Sequence, residues 1–120
     1  MPESWIPIAE SVLEPHFLSF RAALEAGVLC GTGTDGFGEM VEEMELFVKA
    51  GRTPYQAIQA ATRDGARIMG LERRLGCLTP GFQADLIAVP GNPHDDLAVQ
   101  RRPRLVMWDG VVRHTAGHPA

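Results

Sequence analysis

"GVLCGTGTDGFGEM", Gly27–Met40, decides how this chain is read. Its first part, Val28–Asp35, is a short, mostly uncharged run bounded by glycines. It is too brief for a helix and suits a strand buried on both faces. The run closes on an aspartate, Asp35, and drops into a glycine loop. The question is whether Asp35 belongs to an active site or merely ends a strand.

Upstream, "PHFLSFRAALEAG" from Pro15 places Phe17, Phe20 and Leu24 at helical spacing, with Gly27 where a glycine C-cap belongs. A helix that delivers the chain to a buried strand is the grammar of α/β folds. Downstream, "GEMVEEMELFVKAG" sets Met40, Val41, Met44, Phe47 and Val48 on one side and Glu42, Glu43 and Glu45 largely on the other. Methionines at this spacing read as core fillers. "TPYQAIQAATRDGARIMG" opens with Thr53 as N-cap, Pro54 at the first helical position and Gln56 completing a capping box. Ala57, Ile58, Ala61 and, past an interruption at Gly65, Ile68 and Met69 give it a small-residue face for close packing.

After Gly70 the character changes. "LGCLTPGFQADLIAVPGNP" predicts a Thr-Pro-Gly turn, a strand through Leu86–Val89 and a Pro-Gly-Asn-Pro turn. "RLVMWDGVVRH" predicts a β-hairpin whose Asp109-Gly110 pair supplies positive φ, and the tail "TAGHPA" is expected to fray. Residues 1–70 therefore read as helices around one strand, and residues 71–120 as a small antiparallel unit.

Composition narrows the function classes. With 120 residues, 45% hydrophobic and 22% charged, the chain suits one globular unit. A net charge of −4 gives no basic face for nucleic acid. The cluster Arg101, Arg102 and Arg104, broken by Pro103, reads as a solvated loop. Cys30 and Cys77 sit between apolar neighbours as small buried hydrophobes, without a disulfide framework. The acidic, proline-containing start lacks the pattern of a signal peptide, and no run approaches the ~18 apolar residues of a membrane span. A cytoplasmic setting without membrane or nucleic-acid partners is the expectation.

The order of five motifs carries more than any one of them: "GTD", "AG.TP..AI.AAT..GARIMG", "G.L.PG..ADL", "GNP" and "DG". In this succession, over about Ser19 to Val112, the chain resembles the C-terminal end of the amidohydrolase superfamily, metal-dependent hydrolases, and especially its imidazolonepropionase-like and prolidase-like branch. The resemblance implies an α/β fold in which residues 1–70 are the last strand and following helices of a (β/α)₈ barrel, and residues 71–120 part of a small β-sandwich. It implies that Asp35 is both metal ligand and catalytic residue, taking the proton of the attacking water. Barrel enzymes place such groups at the C-terminal ends of their strands. It further implies a divalent cofactor, zinc by preference, and a small amide or dipeptide substrate. Asp85 of "ADL" falls away from the chemistry, as a structural carboxylate that accepts turn or backbone hydrogen bonds.

The family's remaining ligands have no counterpart. There is no His-x-His, His16 follows Pro15 at an expected helix start, and Lys49, the one lysine, suits a helix C-terminus. His94 lies in a turn, and His114 and His118 share a Gly/Ala tail too broken by Gly117 and Pro119 for a helix. Catalytic zinc generally takes about three protein ligands plus water, so Asp35 alone does not suffice. A (β/α)₈ barrel needs about 250 residues, against 120 here. Expectations therefore divide among an inert, truncated amidohydrolase segment, a non-catalytic module that self-associates through unpaired edges and apolar faces, and one half of a split hydrolase awaiting a complementing chain.

Overall fold

The computed structural model describes residues 6–36 and 38–117. Helix α1 runs Ile6–Glu25, nine residues further upstream than the sequence reading, which began it at Pro15. Pro7 falls in the first turn, where a missing N–H costs nothing, and Pro15 removes one internal bond without ending the helix. Gly27, at φ +78°, ends α1 as predicted. Its N–H donates to Leu24 (3.1 Å) and the Val28 N–H to Ala23 (3.0 Å), a Schellman motif that satisfies the last carbonyls.

Helix α2, Met40–Lys49, buries Val41, Met44 and Phe47. Its inward stripe is narrower than expected, because Met40 and Val48 are exposed. Helix α3, Pro54–Ala61, starts with the predicted capping box: Gln56 N–H donates to Thr53 Oγ1 (3.2 Å), and Thr53 N–H to Gln56 Oε1 (3.0 Å). The expected interruption at Gly65 falls instead at Thr62, which takes φ −127°, ψ −92° while its hydroxyl donates to the Ile58 carbonyl (2.7 Å). Helix α4, Arg63–Ile68, then includes Gly65. Ile68 and Met69, expected on the packing face, are exposed.

The strand expected over Val28–Asp35 is not formed. Val28–Thr34 is irregular, and Asp35-Gly36 is a turn. A strand exists through hydrogen bonds to a neighbour. The three described strands pair only with one another, in the order β1 (Leu86–Ala88), β2 (Leu105–Trp108), β3 (Val111–Thr115), all antiparallel. What holds the irregular segment is close packing: a Cβ on Gly31 would lie 3.0 Å from Ile68 Cδ1, 3.5 Å from the Ala60 carbonyl oxygen and 3.6 Å from Gly65 Cα. Gly31 is thus received closely by α3 and α4, through Ala60, Gly65 and Ile68 rather than through the whole face expected over Ala57, Ile58, Ala61, Ile68 and Met69.

Asp109 (φ +52°) and Gly110 (φ +73°) turn the β2–β3 hairpin as predicted. The tail expected to fray stays paired through Ala116, whose N–H donates to the Arg104 carbonyl (2.8 Å). A 3-10 helix at Leu97–Arg101 takes in the first residue of the expected solvated arginine loop, and Arg101, Arg102 and Arg104 all remain exposed. The Asp96 carboxylate caps that helix by accepting from the Ala98 N–H (2.9 Å).

The core gathers Leu24, Val41, Met44, Phe47, Ala57 and Ala60, and receives Leu97 from the 3-10 helix. Phe20 packs edge-on against Phe47, ring centroids 4.9 Å apart. The radius of gyration is 16.4 Å, against about 13.6 Å for a compact domain of this length. The excess matches extensive exposed apolar surface: Ile8 and Leu13 on α1 are each 65% exposed and Leu78 is 84% exposed.

Candidate functional site

The candidate site centres on Asp35. Its backbone takes φ +51°, a left-handed conformation that aspartate tolerates better than most residues, and Gly36 follows at φ +79°. The side chain is exposed. Upstream, the chain is fixed where Gly31 meets α3 and α4. Downstream, it enters α2 at Glu39, whose N–H donates to the Glu42 carboxylate (3.1 Å).

The other candidates do not converge on Asp35. His16 lies inside α1 rather than at a helix start, because the helix begins earlier. It lines an open cavity of about 450 Å³ with Phe17, Phe20, Thr32, Gly33 and Glu43. His94 sits in a turn, its N–H donating to Asn92 Oδ1 (3.1 Å) and its ring edge-on to Tyr55 at 5.3 Å. His114 is in β3, opposite Val106, and His118 lies outside the described residues. Lys49, in the last turn of α2, holds its ammonium 5.1 Å from the Phe17 ring centroid. Cys30 is half-buried, whereas Cys77, expected to be buried, is exposed because its loop lies at the surface.

Among the described residues, no three His, Cys, Asp or Glu side chains come together in a way that could hold a metal ion. Asp35 offers one carboxylate, so the described donor set does not fit a catalytic zinc.

Asp85 behaves as the sequence suggested. Its Oδ1 accepts from the Asp109 N–H at 2.7 Å, and its carboxylate also accepts from Gln83 Nε2 at 3.0 and 3.2 Å. It therefore locks the hairpin turn to the start of β1. Sequence reasoning missed the role of Arg101. Its Nε donates to Glu39 (2.6 Å) and its Nη1 stands 3.5 Å from Glu45 Oε1, joining the 3-10 helix to the N-cap and second turn of α2. The hydrogen-bonded Glu39 carboxylate raises the guanidinium above its ordinary value. Partners 62 residues apart leave no local signal.

The sequence pattern described as "Amidohydrolase family" matches residues 4–113. Ochratoxinase from Aspergillus niger is 34% identical over 114 residues, covering 90% of this chain and 24% of the relative. A solved Xaa-Pro dipeptidase with methionine bound in its active site superposes with a TM-score of 0.84 at 36% identity, over 95% of this chain and 29% of that one. A prolidase solved with N-methylphosphonate-L-proline gives a TM-score of 0.84 at 28% identity, over 96% and 30%. The chain thus spans 24–30% of the length of these relatives.

Proposed function

This chain belongs to the amidohydrolase family, and from that premise we propose that it forms the C-terminal part of a (β/α)₈ hydrolase acting on the carbon–nitrogen bond of a dipeptide or other small amide. Asp35 is its contribution to the active site. The observation that carries this reading is the likeness to a dipeptidase over 95% of the chain, with a lone aspartate closing the segment that two packed helices flank. In this reading Val28–Asp35 becomes the last barrel strand once neighbouring strands supply its hydrogen bonds. The apolar surface of α1 is then covered by the remainder of the barrel, and the three-stranded sheet is part of the β-sandwich.

The family is metal-dependent, and in this reading an ion is held largely by residues outside this sequence. Asp35, as an exposed carboxylate at the end of the Val28–Asp35 segment, is available to hold the proton of an attacking water. The 120-residue chain by itself is inert.

The test is a chimera in which this chain replaces the matching C-terminal segment of the solved Xaa-Pro dipeptidase. The chimera is expected to cleave an Xaa-Pro dipeptide, and Asp35→Asn to lower kcat by about 10²–10⁴-fold. The isolated chain is expected to show no turnover. An active chimera indifferent to Asp35→Asn removes that residue from the mechanism, and turnover by the isolated chain overturns its inertness.

A further inference from the structure

We propose that Arg101 is a positioning residue for Asp35: reaching from the 3-10 helix, it holds the N-cap of α2 and so fixes the downstream end of the loop that carries the candidate catalytic carboxylate. This rests on the reading of Asp35 given above.

Asp35 and Glu39 are four residues apart, and between them Gly36 (φ +79°) and Gly38 (φ +83°) both take left-handed conformations. Glycine leaves the backbone free, so Gly36 and Gly38 do little to hold Asp35 and Glu39 in one relation. The connection is anchored at its two ends. The upstream end is the close seat of Gly31 against α3 and α4. The downstream end is Glu39, and Arg101 grips it.

The grip is built from three residues of one 3-10 helix. Leu97 is buried in the core with Val41 and Met44 of α2, Gln100 Nε2 reaches Met44 Sδ at 3.7 Å, and Arg101 spans the carboxylates of Glu39 and Glu45. Reaching two carboxylates at once is the work of a guanidinium fork, which a lysine ammonium does not reproduce. Arg101 and Glu39 side chains remain 35% and 58% exposed, so the pair adds little to global stability and acts on local order. Local order matters here, because displacing a catalytic group by ~1 Å can cost about 10²-fold in rate.

The test begins with amide hydrogen exchange on the full chain. Arg101→Ala is expected to speed exchange of the Glu39 and Glu43 amides by about tenfold, with the Val106 and Val112 amides of the hairpin unchanged. Arg101→Lys falls between that variant and the parent. If Arg101→Ala leaves Glu39 and Glu43 within about twofold of the parent, the inference is wrong. Equal loss at the hairpin amides is likewise against it, since Arg101 would then act on the whole fold. In the dipeptidase chimera, Arg101→Ala is expected to lower kcat by about tenfold or more with KM nearly unchanged. An unchanged kcat beside a dead Asp35→Asn variant refutes the role of Arg101 alone; an unaffected Asp35→Asn variant refutes the active-site reading while the exchange result still judges the grip.

Discussion

Replacing Gly76 by alanine tests how the helical part of the chain is joined to the sheet. Gly76 lies at φ +89°, and a Cβ there would stand 2.8 Å from Arg63 Cα, 2.9 Å from Ala66 Cβ and 2.9 Å from the Thr62 carbonyl oxygen. Two of these three atoms are backbone, so relief requires the loop to move off the start of α4. Gly81 supplies the control: its φ is +91°, and nothing lies within 4 Å of the corresponding Cβ. Both substitutions carry the cost of a side chain in left-handed backbone, about 1–2 kcal/mol. Gly76→Ala adds an overpacking cost of about 1–3 kcal/mol, for a total of about 2–5 kcal/mol. At about 3–5 °C per kcal/mol for a chain of this size, the melting temperature falls visibly further for Gly76→Ala than for Gly81→Ala. Thermal or urea unfolding followed by circular dichroism, at one fixed protein concentration, reads the difference. Equal losses at the two positions would show that the approach of Gly76 to α4 contributes nothing, and the packing argument would fail.

Two further outcomes are expected. Asp85→Ala leaves the Asp109 N–H without its carboxylate, costing about 1–3 kcal/mol; urea titration together with exchange of the Asp109 amide reads it, and an unchanged amide refutes the role of Asp85 as hairpin lock. The exposed apolar surface of α1 is expected to drive self-association of the isolated chain, which light scattering after size-exclusion chromatography would detect; a clean monomer with one cooperative transition speaks against it.

The helix signals that held were local ones. Thr53-Pro54 with Gln56 opens α3, Gly27 closes α1, and Asp109-Gly110 turns the hairpin, because each acts through its own backbone angles and bonds within a few residues. Errors came where a distant neighbour decides. The start of α1 lies upstream of Pro15, which is accommodated inside the helix, the outward turn of Met40 and Ile68 depends on which surfaces are covered, and Arg101 joins an ordered 3-10 helix that contacts α2. Asp35 is the one candidate site residue that the order of motifs singles out. The Arg101 contact to Glu39 crosses 62 residues, and no spacing in the sequence announces it.

By itself, then, the sequence determined the family, the helix caps, the hairpin and the place of Asp35 at the end of an apolar run. Tertiary structure decided whether that run is a strand. Helices and tight turns satisfy their backbone groups within a short stretch of chain, whereas a strand is completed by another strand alongside. Val28–Thr34 has none beside it among the described residues, so it lies irregular against α3 and α4, seated through Gly31.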